Sequence, residues 1–181
     1  MKRRSFSLAC GLCSLLLASA LTAQNRGPAL SPRQVLAQEV GTTTVTIDYG
    51  RPGVKDREIF GGLVPFGEPW RTGANASTKL TLEAPARLGD LDVPAGEYAL
   101  YTIPGEDEWT IILSKHTEGW GTGGHSAENE LGRFTVEATT LETPVETFTI
   151  NFSGFDGYTA TMHLDWDDTR VAFVIETFPA G

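Results

Sequence analysis

Apolar and polar side chains alternate with a period of two along much of this chain, and few backbone conformations accept that pattern. In Thr44-Val45-Thr46-Ile47-Asp48-Tyr49 the apolar residues share one face and the polar ones the other. Phe148, Ile150 and Phe152 alternate with Thr147, Thr149 and Asn151. Tyr158, Ala160, Met162, Leu164 and Trp166 alternate with Thr159, Thr161, His163 and Asp165. An extended strand sends successive side chains to opposite faces, so each run reads as a strand with one dry and one wet face. Antiparallel sheets tolerate such a wet face, whereas parallel sheets are covered on both sides. Residues 98–103 and 171–175 are apolar on both faces and suit central strands.

The turn chemistry agrees. Val93-Pro94-Ala95-Gly96 suits a type I turn, and Ile103-Pro104-Gly105-Glu106 a type II turn in which Gly105 supplies a positive φ. The latter joins 97–103 to 109–114 as a hairpin, and residues 154–157 join the strands on either side of them. With 77–83, 86–91 and 133–139, the chain offers about nine strands. Only residues 31–38 invite a helix, with Ser31 as N-cap and Pro32 at the first helical position. The expected fold is all-β: a single antiparallel β-sandwich, jelly-roll-like or related, with one short N-terminal helix.

The N-terminus has a separate logic. Met1-Lys2-Arg3-Arg4 is basic, residues 6–17 are largely apolar, and small residues follow through Ala23. That order reads as a secretory signal peptide over 1–23, too short and interrupted for a stable membrane span. Residues 24–30 then form a flexible entry segment and 31–181 a single domain, periplasmic or secreted. Both cysteines, Cys10 and Cys13, lie inside the leader, so the mature chain has no disulfide, thiol nucleophile or thiolate metal site. Without Lys2, Arg3 and Arg4, 11 basic side chains face 23 acidic ones, for a net charge of -12. Phosphate backbones and anionic lipid both require a basic face, which excludes nucleic acid and membrane-surface partners from the expectation.

Against that acidity, residues 50–75 stand out. They hold three prolines, six glycines and four of the 11 basic side chains: Arg51, Lys55, Arg57 and Arg71. An irregular segment this long inside a compact domain is usually functional. Arginine forks offer paired donors to an anion or a carboxylate. The alternative is internal: Arg51, Arg57 and Arg71 pair with Asp48, Asp56, Glu58 or Glu68 and pin the loop to the sheet. Trp70 and Trp120 offer apolar faces for a sugar or aromatic ligand, or else plug the ends of the fold. Asn75 either turns the chain or contacts a ligand. Trp109 and Trp166 occupy regular strand positions and read as core.

A second irregular stretch, 115–129, carries His116, Trp120 and His125 near Glu118, Glu128 and Glu130, without zinc spacing. Asp165, Asp167 and Asp168 lack the glycine and terminal Glu of a calcium loop. His163 falls on a wet strand face and reads as a surface residue. Neither a cofactor motif nor a Gly-x-Ser-x-Gly elbow is present.

An ordered set of short motifs carries a resemblance. It comprises Tyr49-Gly50-Arg51-Pro52-Gly53-Val54-Lys55, Arg57-Glu58-Ile59-Phe60-Gly61, Leu63-Val64-Pro65-Phe66-Gly67 and Trp70-Arg71-Thr72-Gly73-Ala74-Asn75. Pro94-Ala95-Gly96-Glu97-Tyr98, Trp109-Thr110-Ile111-Ile112-Leu113 and Trp120-Gly121 continue it. Together they resemble the bacterial family called domain of unknown function 2911 over nearly the whole mature chain. Asp56 replaces an expected Gly and Ser114 an expected Asn, while His125 and Asn129 lie where a Tyr and an Asp are expected. The resemblance implies an exported bacterial β-domain and brings no activity or ligand.

The resulting expectation is a non-enzymatic binding or envelope-associated module for a small anionic or carbohydrate ligand. Its candidate site joins Arg51, Lys55, Arg57, Trp70, Arg71, Asn75 and Trp120, with no metal. The alternatives are a hydrolase acting on an envelope sugar or peptide, and a purely structural subunit.

Overall fold

The structure, a computed structural model, describes residues 29–179. The expected leader over 1–23 lies outside the described residues. Nine strands follow in order: β1 (Arg33–Val40), β2 (Thr43–Gly50), β3 (Thr78–Leu82), β4 (Ala86–Leu88), β5 (Leu91–Val93), β6 (Gly96–Ile103), β7 (Glu108–Ser114), β8 (Glu130–Asp156) and β9 (Thr159–Thr177). Every pairing between them is antiparallel.

Hydrogen bonding joins all nine into one open sheet, in the order β1-β2-β3-β6-β7-β8-β9-β4-β5. The expected all-β antiparallel class is observed; two separate sheets are not. The reason is the length of β8, which spans 27 residues. Its first part, through Glu137, pairs with β7, and from Ala138 onward it pairs with β9. One strand thus belongs to both halves and carries the ladder from one to the other. The halves curl around a shared core, and side chains stitch their margins. The Tyr49 hydroxyl accepts the Ile150 amide hydrogen at 2.9 Å, and Thr177 Oγ1 donates to the Val40 carbonyl at 3.0 Å.

The helix expected over residues 31–38 is absent, and strand β1 runs through that segment. Ser31 and Pro32 permit a helix to begin but supply nothing to hold one. Across a turn at Gly41, whose φ is +59°, residues Arg33 to Val40 find eight partners on β2. Tertiary pairing outweighs the modest local preference. Two turn details also differ from expectation. Gly105 does not adopt the positive φ of a type II turn; it is needed because a Cβ there would meet the Glu108 carbonyl oxygen at 2.4 Å. The segment 86–91 is not one strand, since Gly89, at φ +58°, folds it into the β4–β5 hairpin.

The alternating residues land as their period requires: Val45, Ile47, Tyr49, Leu80, Leu100, Trp109, Phe148, Ile150, Leu164 and Trp166 belong to one apolar core. At one end of it the aromatics concentrate. Phe60 lies edge-on to Trp70, Trp109 and Trp166, at centroid distances of 5.9, 4.7 and 5.9 Å. Burying each of Trp70, Trp109 and Trp166 contributes about 2–3 kcal/mol, which anchors this end of the fold.

Candidate functional site

Residues 50–75 form an irregular loop over that aromatic end. Its two ends touch: the Ala74 amide donates to the Gly50 carbonyl at 3.2 Å, and a Cβ on Gly50 would sit 2.2 Å from the Ala74 oxygen. Near its start it is tied to β8, where Val54 donates to the Glu146 carbonyl (2.8 Å) and Phe148 to that of Pro52 (2.9 Å). Near its end it is tied to β6 by reciprocal bonds between Trp70 and Thr102 at 2.7 and 2.9 Å. With both flanks fixed and Phe60 inserted in the core, the loop is a rigid roof.

Trp70 and Trp166 stack beneath it with centroids 5.6 Å apart and planes 18° from parallel. The Trp70 indole nitrogen donates to the Gly73 carbonyl at 3.1 Å. A cavity of about 410 Å³ lies alongside, bounded by Arg57, Trp70, Arg71, Asn75 and Trp166, with Pro52, Leu63 and Val64 adding apolar surface. Among the described residues no aspartate or glutamate lines it.

The arginines of the loop meet different fates. Arg51 is a brace: Nε donates to the Phe148 carbonyl at 3.0 Å and Nη2 to Thr149 Oγ1 at 2.8 Å. Arg57 donates to the carbonyls of Val54 (3.0 Å) and Gly53 (2.6 Å), holding its own turn while reaching the cavity wall. Arg71 lines the cavity half-buried, and its Nε is shut from solvent with no partner among the described residues. Burial pushes its guanidinium pKa down, with no acid nearby to push it back. The internal pairing considered from sequence is therefore corrected. Among the described residues no ion pair involves Arg51, Arg57 or Arg71, and Asp48 is taken by Arg33. A backbone carbonyl and a hydroxyl hold Arg51, two carbonyls hold Arg57, and Arg71 Nε has no partner among the described residues.

A second donor shares this condition. Trp166 is 1% exposed, its Nε1 has no partner among the described residues, and it lines the same cavity. Sequence reasoning placed Trp166 correctly in the core and missed this. The alternation of β9 fixes its direction but says nothing about whether the indole finds an acceptor. Immediately after Arg71, the buried and β-branched Thr72 has φ +54°. That conformation is costly for such a residue. It is held by Thr78 Oγ1 donating to the Thr72 carbonyl at 2.6 Å and by Thr72 Oγ1 donating to Thr102 Oγ1 at 3.3 Å. The backbone is strained at the residue that follows the unpaired cation.

The remaining candidates divide. Asn75, at φ +69°, lines the cavity and donates from Nδ2 to the Ser31 carbonyl at 3.3 Å. Lys55 is exposed, with Nζ 3.5 Å from the Leu30 carbonyl oxygen. These contacts lay residues 30–31 across the rim. Trp120 is 74% exposed and borders the site without lining the cavity: Ala76 forms a bridge with it, and Gly121 donates to the Asn75 carbonyl at 3.1 Å. It does not plug the fold.

Other groupings are accounted for internally. His125 Nε2 lies 3.1 Å from Glu130 Oε1, and Glu130 also binds Arg133. No group of three or more metal-ligating side chains occurs among the described residues. Ser153 Oγ and His163 Nε2 lie 2.5 Å apart. His163 stands on the wet face of β9, between buried Met162 and Leu164, and is itself half-buried; burial lowers its pKa, and its Nδ1 has no partner among the described residues. A hydrolytic triad requires a third group on that nitrogen to orient the base. Asp165, whose charge acts on His163, is committed to Arg170 through two 2.7 Å bonds.

Fold and cavity together define an all-β domain whose irregular loop roofs a small cavity lined by cations and indoles. The chain belongs to the family described as Protein of unknown function (DUF2911), whose model matches residues 31–175. Comparison with curated proteins and with solved structures finds no match.

Proposed function

We propose that this chain is an exported, non-enzymatic binding module that takes a small anionic ligand into the cavity beneath residues 50–75. One observation carries the reading. Two residues that line the same cavity, Arg71 and Trp166, each hold a buried nitrogen donor with no acceptor among the described residues, and no described acid lines that cavity. Unsatisfied buried donors are rare in folded proteins, and each left so costs about 1–3 kcal/mol. A ligand carrying acceptor oxygens and negative charge removes that cost when it binds. The strained Thr72 beside Arg71 and the volume of the cavity, at the small-molecule scale, agree. Export rests on the basic, apolar and small-residue order of residues 1–23.

The test is intrinsic tryptophan fluorescence, titrated with a panel of small anions, for the wild type and Arg71→Met. Saturable quenching in the wild type that weakens at least tenfold in the variant supports the reading. Identical responses of the two proteins to every anion would refute it.

A further inference from the structure

Resting on that reading, we infer that the ligand is an organic carboxylate with a compact apolar body, rather than a carbohydrate or an inorganic oxoanion. The balance of donors and acceptors argues for it. A sugar hydroxyl both donates and accepts, so a sugar site must offer acceptors, most strongly carboxylates, alongside its donors. Here, among the described residues, the lining side chains that accept are only Ser31 and Asn75, while Arg57, Arg71 and Trp166 can only donate. A wall so rich in donors fits a group that only accepts. A carboxylate also matches the guanidinium fork, whose Nε edge presents two parallel N–H bonds. At Arg71 that edge is uncommitted among the described residues: Nε is sealed without a partner, and a small shift of the side chain toward the cavity it lines turns the edge to a ligand.

The remainder of the cavity selects the other end of the ligand. Trp70, Leu63, Val64 and Pro52 offer aromatic and aliphatic surface, and Arg57 has already spent Nε and Nη2 on backbone carbonyls. Inorganic phosphate would be surrounded by too few donors and would leave that apolar surface wet. A carboxylate with a short aliphatic or aromatic substituent covers both kinds of wall. The cavity of about 410 Å³ sets the upper limit on its size.

The experiment uses the mature protein labelled with ¹⁵N, following the Trp indole and Arg Nε–H resonances. Acetate, hexanoate, benzoate, inorganic phosphate and glucose are titrated separately, and Trp166→Phe and Arg71→Lys identify the two resonances. Benzoate and hexanoate are expected to move both, with affinity above that of acetate. Loss of the fork in Arg71→Lys should weaken them about tenfold, even though the charge remains. Hydrogen exchange of the core amides verifies that each variant is folded. Glucose or phosphate saturating these resonances below the benzoate concentration would overturn the carboxylate assignment and leave the anion or ligand cavity standing. If none of the five moves either resonance, the cavity reading falls with it.

Discussion

Replacing Arg71 by Met should make the folded protein more stable, contrary to the usual direction for a half-buried residue. Met keeps most of the aliphatic stem that packs against the cavity wall, so little apolar contact is lost. The group removed is a cation whose Nε is sealed without an acceptor and whose charge no acid balances among the described residues. An orphaned buried donor costs about 1–3 kcal/mol, and the exposed half of this side chain discounts that toward the lower end. The expected gain is about 1 kcal/mol, which for a domain of this size raises the midpoint of thermal unfolding by about 2–4 °C. In urea the same gain moves the midpoint by about 0.5 M with the slope unchanged. Arg51→Met is the internal control. Arg51 carries the same charge in the same loop, but its removal strips donors from the Phe148 carbonyl and Thr149 Oγ1, and it should lose about 1–3 kcal/mol. If Arg71→Met is destabilised as much as Arg51→Met, Arg71 is a brace and the argument for a ligand collapses. A residue that weakens the free fold and is required for binding is one retained for function.

Three further outcomes follow from the geometry. Tyr49→Phe leaves the buried Ile150 amide without its acceptor and should cost about 1–3 kcal/mol in chemical denaturation. Burial raises the Tyr49 pKa, so the wild type holds that contribution below the ordinary value near 10 and loses it as pH rises through the higher folded value; the variant should lack this alkaline loss. Gly50→Ala drives a Cβ into the Ala74 carbonyl, so it should cost about 1–3 kcal/mol and weaken anion quenching together, because it spreads the ends of the roof. Asp167→Asn should raise the unfolding temperature slightly, by a few tenths of a kcal/mol, at neutral pH. Burial, then Asp168 and Glu146, push the Asp167 pKa up, so its charge costs stability once pH exceeds the folded value, and the gap to wild type should close as acid protonates it.

The strands were legible because a strand reveals its two faces in sequence. Val45, Ile47 and Tyr49, or Met162, Leu164 and Trp166, need no partner to show which side is dry. Strand β1 was not legible, because Val35 and Leu36 are adjacent apolar residues and Ser31-Pro32 resembles a helix start. What decides it is β2, across the turn. The single sheet was hidden for a related reason: nothing in residues 130–156 announces that the strand changes partner after Glu137. Within the site, the cluster of Arg57, Trp70, Arg71 and Asn75 could be proposed from its charge and irregular composition. That Arg51 is spent on the Phe148 carbonyl and the Thr149 hydroxyl while Arg71 Nε finds no partner among the described residues depends on distances between segments far apart in the chain. So does the condition of Trp166, whose period-two position is that of any core residue.

The long strand β8 also governs the order in which this molecule can be completed. Neither half of the sheet is finished until β8 is in place, and its second part finds its partner only when residues 159–177 are available. The final stitch, from Thr177 to Val40, joins positions 137 residues apart. Such distant pairings make folding slow, because chain closure precedes the contacts that reward it. A chain emerging from its N-terminus therefore keeps its first strands unsealed until residues 159–177 have appeared.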